Sequence, residues 1–237
     1  MPESGRCAVC GSDGSYVVLD DVSMRGNHRC AVCQSSMRYR HQAEVLVSLY
    51  GQRVGTLAEM AEQTAFSGLA IYEPGISGPF RRFLRGLSQY ANSYYWPDVA
   101  PGEVHEGVRC ESLHNLTFAD ECFDVIITSD IFEHVRHPEV AFGELFRVLK
   151  PGGRHVFTVP FRWPFDALSV ARVDTSGPED VHVLPPVYHG SPVDPEGSLV
   201  YTDFGMDLPE QLREIGFLVA VHHGYRQNAT VVAERPT

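Results

Sequence analysis

The chain has 237 residues, of which 43% are hydrophobic and 21% charged, which excludes a disordered tail and a coiled coil. No apolar run approaches the roughly 18 residues that a membrane helix needs, and the first residues lack the apolar segment of a secretory signal. The net charge of −11 argues against a surface that binds nucleic acid throughout. These features favour a cytoplasmic globular domain with a small appendage and no membrane contact.

Four of the six cysteines lie near the N-terminus as two Cys-x-x-Cys pairs, namely Cys7 with Cys10 and Cys30 with Cys33. This spacing turns both thiolates of a pair toward one ion, and two pairs complete the tetrahedral sulfur shell that zinc prefers. Disulfides would need an oxidising compartment, and a redox motif explains only one pair. We therefore predict a structural Zn²⁺ in a ribbon-like module over residues 1–38, with a short hairpin near residues 16–19.

Residues 24–41 form a basic stretch that contains no acidic residue and four arginines: Arg25, Arg29, Arg38 and Arg40. The ordinary interpretation of such a stretch is a solvated face. Because clustered cations also bind phosphate groups, the same stretch is compatible with RNA binding.

Apolar residues at helical spacing over residues 39–63 predict two helices separated by Gly51 and Gly55, within a linker over residues 39–65. Strand-like and helix-like segments then alternate, which predicts an α/β domain over 66–237 with helices on both faces of a mostly parallel sheet. Seven strands are predicted, at residues 69–73, 89–94, 104–109, 123–128, 154–159, 217–222 and 229–234; the helices fall at 80–87, 138–149 and 208–215. Residues 161–203 are rich in proline and scattered aromatics, which favours an ordered lid.

Two segments carry a family resemblance: residues 118–135 read FADECFDVIITSDIFEHV, and residues 146–160 read FRVLKPGGRHVFTVP. Both closely resemble the class I methyltransferases that depend on S-adenosylmethionine (SAM), of the methyltransferase type 11-like group. The resemblance covers residues 66–235 and implies a Rossmann-like, doubly wound sheet with SAM as cofactor. The lid, residues 161–203, lies outside the family's core pattern, and its length and aromatic content favour a segment that covers the substrate.

The resemblance also implies where SAM binds. The acid and first glycine of the family's glycine-rich turn match Glu73 and Gly75, but Ser77 replaces the middle glycine. No acid stands where the family places the ribose ligand, so Ser93 or Asn92 is expected to take that role. The cofactor-binding candidates are Glu73, Gly75, Ser77, Ser93, Tyr94, Glu111, Ser112, Leu113, Ser129 and Asp130.

Methyl transfer requires an acceptor aligned within about 3–3.5 Å of the methyl carbon and, for many acceptors, removal of a proton. His134, on the turn after the fourth strand, is the first candidate base, because an imidazole with an ordinary pKa near 6.5 suits neutral pH. Glu133 is expected to orient it, and His189 in the lid is a second candidate base. Alternatively, Glu133 and His134 form a purely structural turn. A metal site on His134 and His137 lacks a third ligand nearby in sequence.

The favoured function is methyl transfer from SAM to a small polar molecule, in specialised or sugar metabolism. One alternative is an RNA methyltransferase that grips phosphates with its zinc ribbon, although the acidic net charge makes nucleic acid a disfavoured partner. Another is a non-catalytic protein that binds SAM. The sequence leaves open whether the chain forms a homodimer.

Overall fold

The N-terminal module is a small antiparallel sheet. The computed structural model describes residues 4–18, 24–225 and 228–237. The module contains β1 (Ser4–Arg6), β2 (Asp13–Val18), α1 (Met24–Asn27) and β3 (His28–Cys30). Its strands pair in the order β1-β2-β3. β2, which contains residues 16–18 of the predicted hairpin, pairs antiparallel with β3, as a hairpin between the two cysteine pairs requires. Leu19, at the end of the predicted hairpin, and the first three residues of the predicted module lie outside the described residues.

Three helices follow the module: α2 (Met37–Tyr50), α3 (Leu57–Ala61) and α4 (Thr64–Ser67). The predicted break at Gly51 is confirmed, because α2 ends there and a Cβ atom would lie 2.7 Å from the Val47 carbonyl oxygen. Within the described part of the chain, no helix combines the length and the apolar character needed to cross a membrane.

The remaining elements alternate as predicted. The first group is β4 (Ile71–Pro74), α5 (Arg81–Leu84), β5 (Tyr90–Tyr94), β6 (Val104–His105), β7 (Val108–Cys110), β8 (Phe123–Ser129), α6 (Pro138–Val148) and β9 (Leu149–Thr158). The lid contains six two-residue strands, β10 (Val170–Ala171), β11 (Val173–Asp174), β12 (Val181–His182), β13 (Tyr188–His189), β14 (Ser198–Leu199) and β15 (Thr202–Asp203). The chain closes with α7 (Leu208–Ile215), β16 (Leu218–His223) and β17 (Ala229–Glu234).

The large sheet has the strand order β16-β17-β9-β8-β4-β5-β7-β6. Its central strands are parallel, while β6, β16 and β17 run antiparallel to their neighbours, which confirms a mostly parallel α/β sheet. The described residues form eight strands in this sheet rather than the predicted seven. The single strand predicted at 104–109 is a tight hairpin, because Glu106 and Gly107 adopt positive φ angles of 50° and 78°.

The structure differs from the prediction at one further helix and at the segment that follows α6. The helix predicted over residues 80–87 is confined to α5, which has four residues. Pro151-Gly152-Gly153, predicted to separate a helix from a strand, lies inside the first half of β9. The glycine backbone is used there for pairing, since Gly152 N donates to the Arg235 carbonyl at 2.8 Å.

The core lies on both faces of the sheet, and β8 shows why. Its side chains alternate, so that Ile126 packs with α6 and α7 on one face, whereas Val125 and Ile127 pack with α2 and α3 on the other. Cys7 and Val9 of the N-terminal module belong to this second cluster. The predicted units 1–38, 39–65 and 66–237 therefore share one continuous core, and their boundaries stay a prediction.

One buried glutamine fixes α2 to the end of the sheet. The Gln42 amide nitrogen donates to the carbonyls of Thr128 at 2.9 Å and Val156 at 3.0 Å. Its amide oxygen accepts the Ser129 hydroxyl at 2.5 Å. These bonds hold the helix against the carboxyl ends of β8 and β9, where a doubly wound sheet binds its ligands.

Candidate active site and metal centre

A cavity of about 1160 Å³ opens at the carboxyl ends of the parallel strands, below the lid. Every residue predicted to bind the cofactor or to act in catalysis lines it, although these residues come from distant parts of the chain. They are Glu73, Gly75, Ser77, Ser93, Tyr94, Glu111, Ser112, Leu113, Ser129, Asp130, Glu133, His134 and His189. Asn92, the alternative to Ser93, is absent from this lining and its amide instead approaches the Gly75 carbonyl at 3.5 Å.

The turn after β4 offers both space and an acid to a ligand. Gly75 has a φ of 122°, and a Cβ atom there would meet only the Ser77 carbonyl oxygen, at 3.9 Å. Glu73 is 8% exposed and accepts a hydrogen bond from the Tyr90 hydroxyl at 2.7 Å. Burial raises the pKa of Glu73 to about 7. A cationic group such as an ammonium would stabilise this carboxylate, so the turn fits the amino-acid end of SAM.

Two further candidates for cofactor binding already have protein partners. The Ser93 hydroxyl pairs with the Tyr72 hydroxyl at 2.7 Å. The Glu111 carboxylate accepts from Arg109 Nε at 2.5 Å and from the Thr117 backbone N–H at 2.9 Å. Direct contact of these two side chains with SAM remains a prediction, and their present contacts shape the wall of the cavity.

Asp130 is the third candidate with protein partners, and its partners come from the N-terminal module and α2. Arg25 binds both carboxylate oxygens, with Nη2 at 2.6 Å from Oδ1, and Arg38 Nη1 binds Oδ2. The Thr158 hydroxyl donates to Oδ1 at 2.9 Å. Burial alone would raise the pKa of Asp130, but the two guanidiniums hold it well below its usual range.

These contacts correct the ordinary interpretation of the basic stretch as a solvated face. Arg25 and Arg40 are both buried, at 7% exposure each. Arg40 donates to the carbonyls of His28 at 3.0 Å and Ser35 at 2.9 Å. The sequence signal for this arrangement was the run of arginines without acids, but nothing local identified Asp130 as the partner.

The three predicted catalytic residues lie together. Glu133 is fully buried, and neither of its carboxylate oxygens has a hydrogen-bond partner among the described residues. Its Oε1 lies 3.6 Å from His134 Nε2 and 3.5 Å from His189 Nδ1. The contact with Glu133 raises the pKa of His189 above its ordinary value. One carboxylate therefore faces two imidazoles across the cavity wall.

The lid fixes the tautomer of His134. His134 Nδ1 lies 2.8 Å from the Leu199 carbonyl, so Nδ1 carries the proton and donates it, which leaves the Nε2 lone pair free. The Tyr201 N–H donates to the Glu133 carbonyl at 2.7 Å, which docks the lid on the same turn. His137, by contrast, packs against His114, with ring centroids 5.7 Å apart.

The four N-terminal cysteines are free thiols whose sulfurs lie within 4.8 Å of one another. The Sγ atoms of Cys7 and Cys33 are 3.7 Å apart, and those of Cys10 and Cys30 are 3.9 Å apart. A regular tetrahedron with zinc–sulfur distances of 2.3 Å has edges of about 3.8 Å. The hydrogen bond between Cys7 and Cys33 lowers the pKa of the Cys7 thiol and raises the pKa of the Cys33 thiol, because the two sulfurs share one proton.

The two cysteine pairs also share a backbone geometry. In the first, the Gly11 N–H donates to the Cys7 carbonyl at 2.8 Å; in the second, the Gln34 N–H donates to the Cys30 carbonyl at 2.9 Å. Gly11 and Gln34 both adopt positive φ angles, of 75° and 61°. Two matching loops thus present their thiols to a common centre, and the donor set fits Zn²⁺.

Known methyltransferases are similar to this chain in sequence. Residues 81–157 match the family model described as a methyltransferase domain. The demethylmenaquinone methyltransferase of Streptomyces avermitilis is 29% identical, over 88% of this chain and 93% of that protein. The malonyl-[acyl-carrier protein] O-methyltransferase of Herminiimonas arsenicoxydans is 33% identical over 31% of this chain and 33% of that protein.

Among solved structures, the chain is similar to the SAM-dependent methyltransferase from Mesorhizobium loti. That similarity has a TM-score of 0.46 and 17% identity, over 71% of this chain and 91% of the other. With the domain match and the sequence relatives, the chain is a SAM-dependent methyltransferase.

We expect replacement of Asp130 by Asn to leave the buried Arg25 and the partly buried Arg38 without a full counter-charge. Breaking a buried ion pair in this way costs about 3–5 kcal/mol of unfolding free energy. Because the pKa of Asp130 is depressed in the folded state, the wild-type advantage is complete above the ordinary aspartate pKa of about 3.9 and decreases as pH falls below it. Denaturant unfolding of both proteins across this pH range measures the difference.

The matched control is Asp166→Asn, which makes the same chemical change at another aspartate. Asp166 makes no ion pair among the described residues. It should leave stability unchanged at every pH. A constant difference between wild type and Asp130→Asn from neutral to acidic pH would contradict an electrostatic role for Asp130.

Proposed function

We propose that this enzyme transfers the SAM methyl group to a small polar acceptor that lies between the turn at residues 132–134 and the lid, residues 161–203. The observation that carries the proposal is the convergence of Glu133, His134 and His189 on one side of the cavity. A purely structural turn at Glu133 and His134 would not explain this cluster, because His189 comes from the lid, a different segment of the chain. We place the acceptor within specialised or sugar metabolism.

SAM, when bound, supplies a methyl group on a sulfonium sulfur, which leaves without assistance. The chain's task is to orient the acceptor and to remove its proton. His134 is the proposed base, because its Nδ1 proton is held by the Leu199 carbonyl and its Nε2 is free to accept. The Glu133 carboxylate, 3.6 Å from Nε2, stabilises the imidazolium that results. His189 is the second base and shares the same carboxylate.

The relatives support an acceptor other than nucleic acid, since one is named for demethylmenaquinone and another for a malonyl group on its carrier protein. The RNA alternative has less support from the site. Arg25, Arg38 and Arg40, three of the four arginines in the basic stretch, are used inside the protein. A phosphate backbone needs several free cations.

We infer that Cys7, Cys10, Cys30 and Cys33 bind one structural Zn²⁺. The near-tetrahedral sulfur separations and the two matching loops support this assignment. A four-sulfur shell is closed, so the metal would stabilise the fold and leave catalysis to the cavity. Cysteines at the spacing of zinc ligands are typical of a reducing compartment, which supports the predicted cytoplasmic location.

Replacement of Cys10 by Ser should lower the zinc content and the melting temperature, because the closed shell contributes folding free energy. Elemental analysis and calorimetry measure the two effects. Cys122→Ser is the matched control, since Cys122 lies outside the cysteine cluster and is only partly buried. A metal-free wild-type protein with an unchanged melting curve would disprove the zinc assignment.

A leucine at position 75 should weaken SAM binding by at least tenfold, because its side chain would fill the open space beside the turn after β4. Titration calorimetry with SAM measures the affinity. Gly107→Leu controls for backbone strain, since Gly107 also has a positive φ and its surroundings are open. If Gly75→Leu bound SAM as tightly as Gly107→Leu, the cofactor would lie elsewhere.

The His134→Ala variant should lose turnover by about 10²–10⁴-fold, the usual cost of removing a general base. Its affinity for SAM should change little, because the imidazole addresses the acceptor. His137→Ala, outside the cavity lining, should retain full activity. Single-turnover rates with the identified acceptor, together with SAM titrations, measure both quantities.

Parallel loss of SAM affinity and rate in His134→Ala would make His134 a cofactor or structural residue. Since the ligand atoms of Glu133, His134 and His189 lie within 4.8 Å of one another, a metal ion is a different explanation for the same cluster. Activity that survives a chelator while the ribbon keeps its zinc favours the base, whereas restoration of lost activity by added metal would contradict it.

A further inference from the structure

The two cysteine loops are copies of one six-residue sequence. The first reads CAVCGS from Cys7 to Ser12 and the second reads CAVCQS from Cys30 to Ser35, so they differ only at the fifth position. In the first loop, the Cys7 N–H donates to the Ser12 carbonyl at 3.0 Å. In the second, the Cys30 N–H donates to the Ser35 carbonyl at 2.9 Å. The repeat therefore includes a serine, which zinc coordination by four sulfurs does not by itself require.

The side chain of Ser12 links the first loop to the second. Its hydroxyl oxygen lies 3.1 Å from Cys10 Sγ in its own loop and 3.5 Å from Cys30 Sγ in the other. Ser12 is partly buried, and its hydroxyl has no further hydrogen-bond partner among the described residues. Both contacts of this hydroxyl are therefore with sulfurs of the cysteine cluster.

Ser35 repeats this arrangement from the second loop. Its hydroxyl oxygen lies 3.1 Å from Cys33 Sγ in its own loop and 3.4 Å from Cys7 Sγ in the other. Ser35 is completely buried, at 0% exposure, so its hydroxyl must find its partners within the protein. Each of the four sulfurs thus has one serine hydroxyl within 3.5 Å.

The charge of a bound metal gives these contacts a function. Four thiolates carry four negative charges and Zn²⁺ neutralises two of them, so the centre keeps a net negative charge within the module. A thiolate has no proton to donate, so each serine must donate its own, and hydrogen bonds to charged acceptors are stronger than those to neutral ones. Removal of hydrogen-bond partners around metal ligands typically lowers metal affinity by about 10–100-fold.

We propose that Ser12 and Ser35 donate hydrogen bonds to zinc-bound thiolates and thereby determine how tightly the metal is bound. Because a hydroxyl has one proton, each serine donates to its nearer sulfur, that of Cys10 or Cys33, while it also contacts a sulfur of the other loop. Neither serine ligates the metal; together they reduce the charge on the sulfurs and keep the two loops together. The inference rests on the proposed function in taking the four cysteines as zinc ligands.

Four variants of the full chain test the serines. Ser12→Ala and Ser35→Ala each remove one hydroxyl, and Ser12→Thr keeps a hydroxyl at the more accessible of the two positions. Ser36→Ala is the matched control, because Ser36 is 5% exposed and its hydroxyl has no hydrogen-bond partner among the described residues. Competition with a chelator of known affinity measures zinc binding, and absorption spectra of the Co²⁺-exchanged proteins report the donor strength of the thiolates.

Each alanine variant should bind zinc about 10–100-fold more weakly than wild type, whereas Ser12→Thr and Ser36→Ala should keep the wild-type affinity. Loss of a hydrogen bond raises the energy of the sulfur lone pairs. The sulfur-to-Co²⁺ charge-transfer band of the two alanine variants should therefore move to longer wavelength. A serine that only supported the fold would not move this band.

The proposal is overturned if wild type binds zinc and both alanine variants bind it as tightly as Ser36→Ala does. Weaker binding with an unchanged Co²⁺ band would also overturn it, because the serines would then act only through packing. If Ser35→Ala failed to fold, Ser12→Ala and Ser12→Thr would still decide the question. The zinc assignment fails in a different way, since wild type would then bind neither zinc nor Co²⁺, and both inferences would be wrong.

Discussion

The ion pair of Asp130 with Arg25 and Arg38 is the interaction on which the site depends. Asp130 follows the central strand β8, and its two guanidinium partners come from the N-terminal module and the first turn of α2. A buried carboxylate without these partners would carry a large desolvation cost, so the module and the sheet can only form their native contacts together. The pair closes one wall of the main cavity.

The N-terminal cysteine module is therefore part of the enzyme's architecture. Its first cysteine loop packs in the same apolar cluster as strands of the large sheet, and the Leu57 N–H at the start of α3 donates to the Ala8 carbonyl at 2.8 Å. The module has too few residues to form a stable core of its own. Packing against the large sheet supplies that core, and a bound metal would stabilise the module further. If the module lost its native structure, the effect would reach the cavity through the contact of Arg25 with Asp130.

The cluster of Glu133, His134 and His189 also contains a buried carboxylate that needs positively charged neighbours. Glu133 is held in place by its backbone, since its carbonyl accepts the Tyr201 N–H from the lid, while its carboxylate has no hydrogen-bond donor among described residues. An isolated buried carboxylate is unfavourable, and the two neighbouring imidazoles relieve it when either is protonated. The lid thus contributes His189 to this cluster and fixes the tautomer of His134.

The sequence by itself determined the features that depend on local spacing. The two cysteine pairs indicated the metal centre, the apolar run of β8 and the segments around it indicated the sheet and the enzyme class, and residue type nominated Glu133 and His134. Tertiary structure alone decided which partners these residues have. Arg25 and Asp130 are 105 positions apart, and His134 and Leu199 are 65 apart. Periodicity reports only neighbours on one helix or strand, whereas such pairs form only when packing brings distant segments to one edge of the sheet.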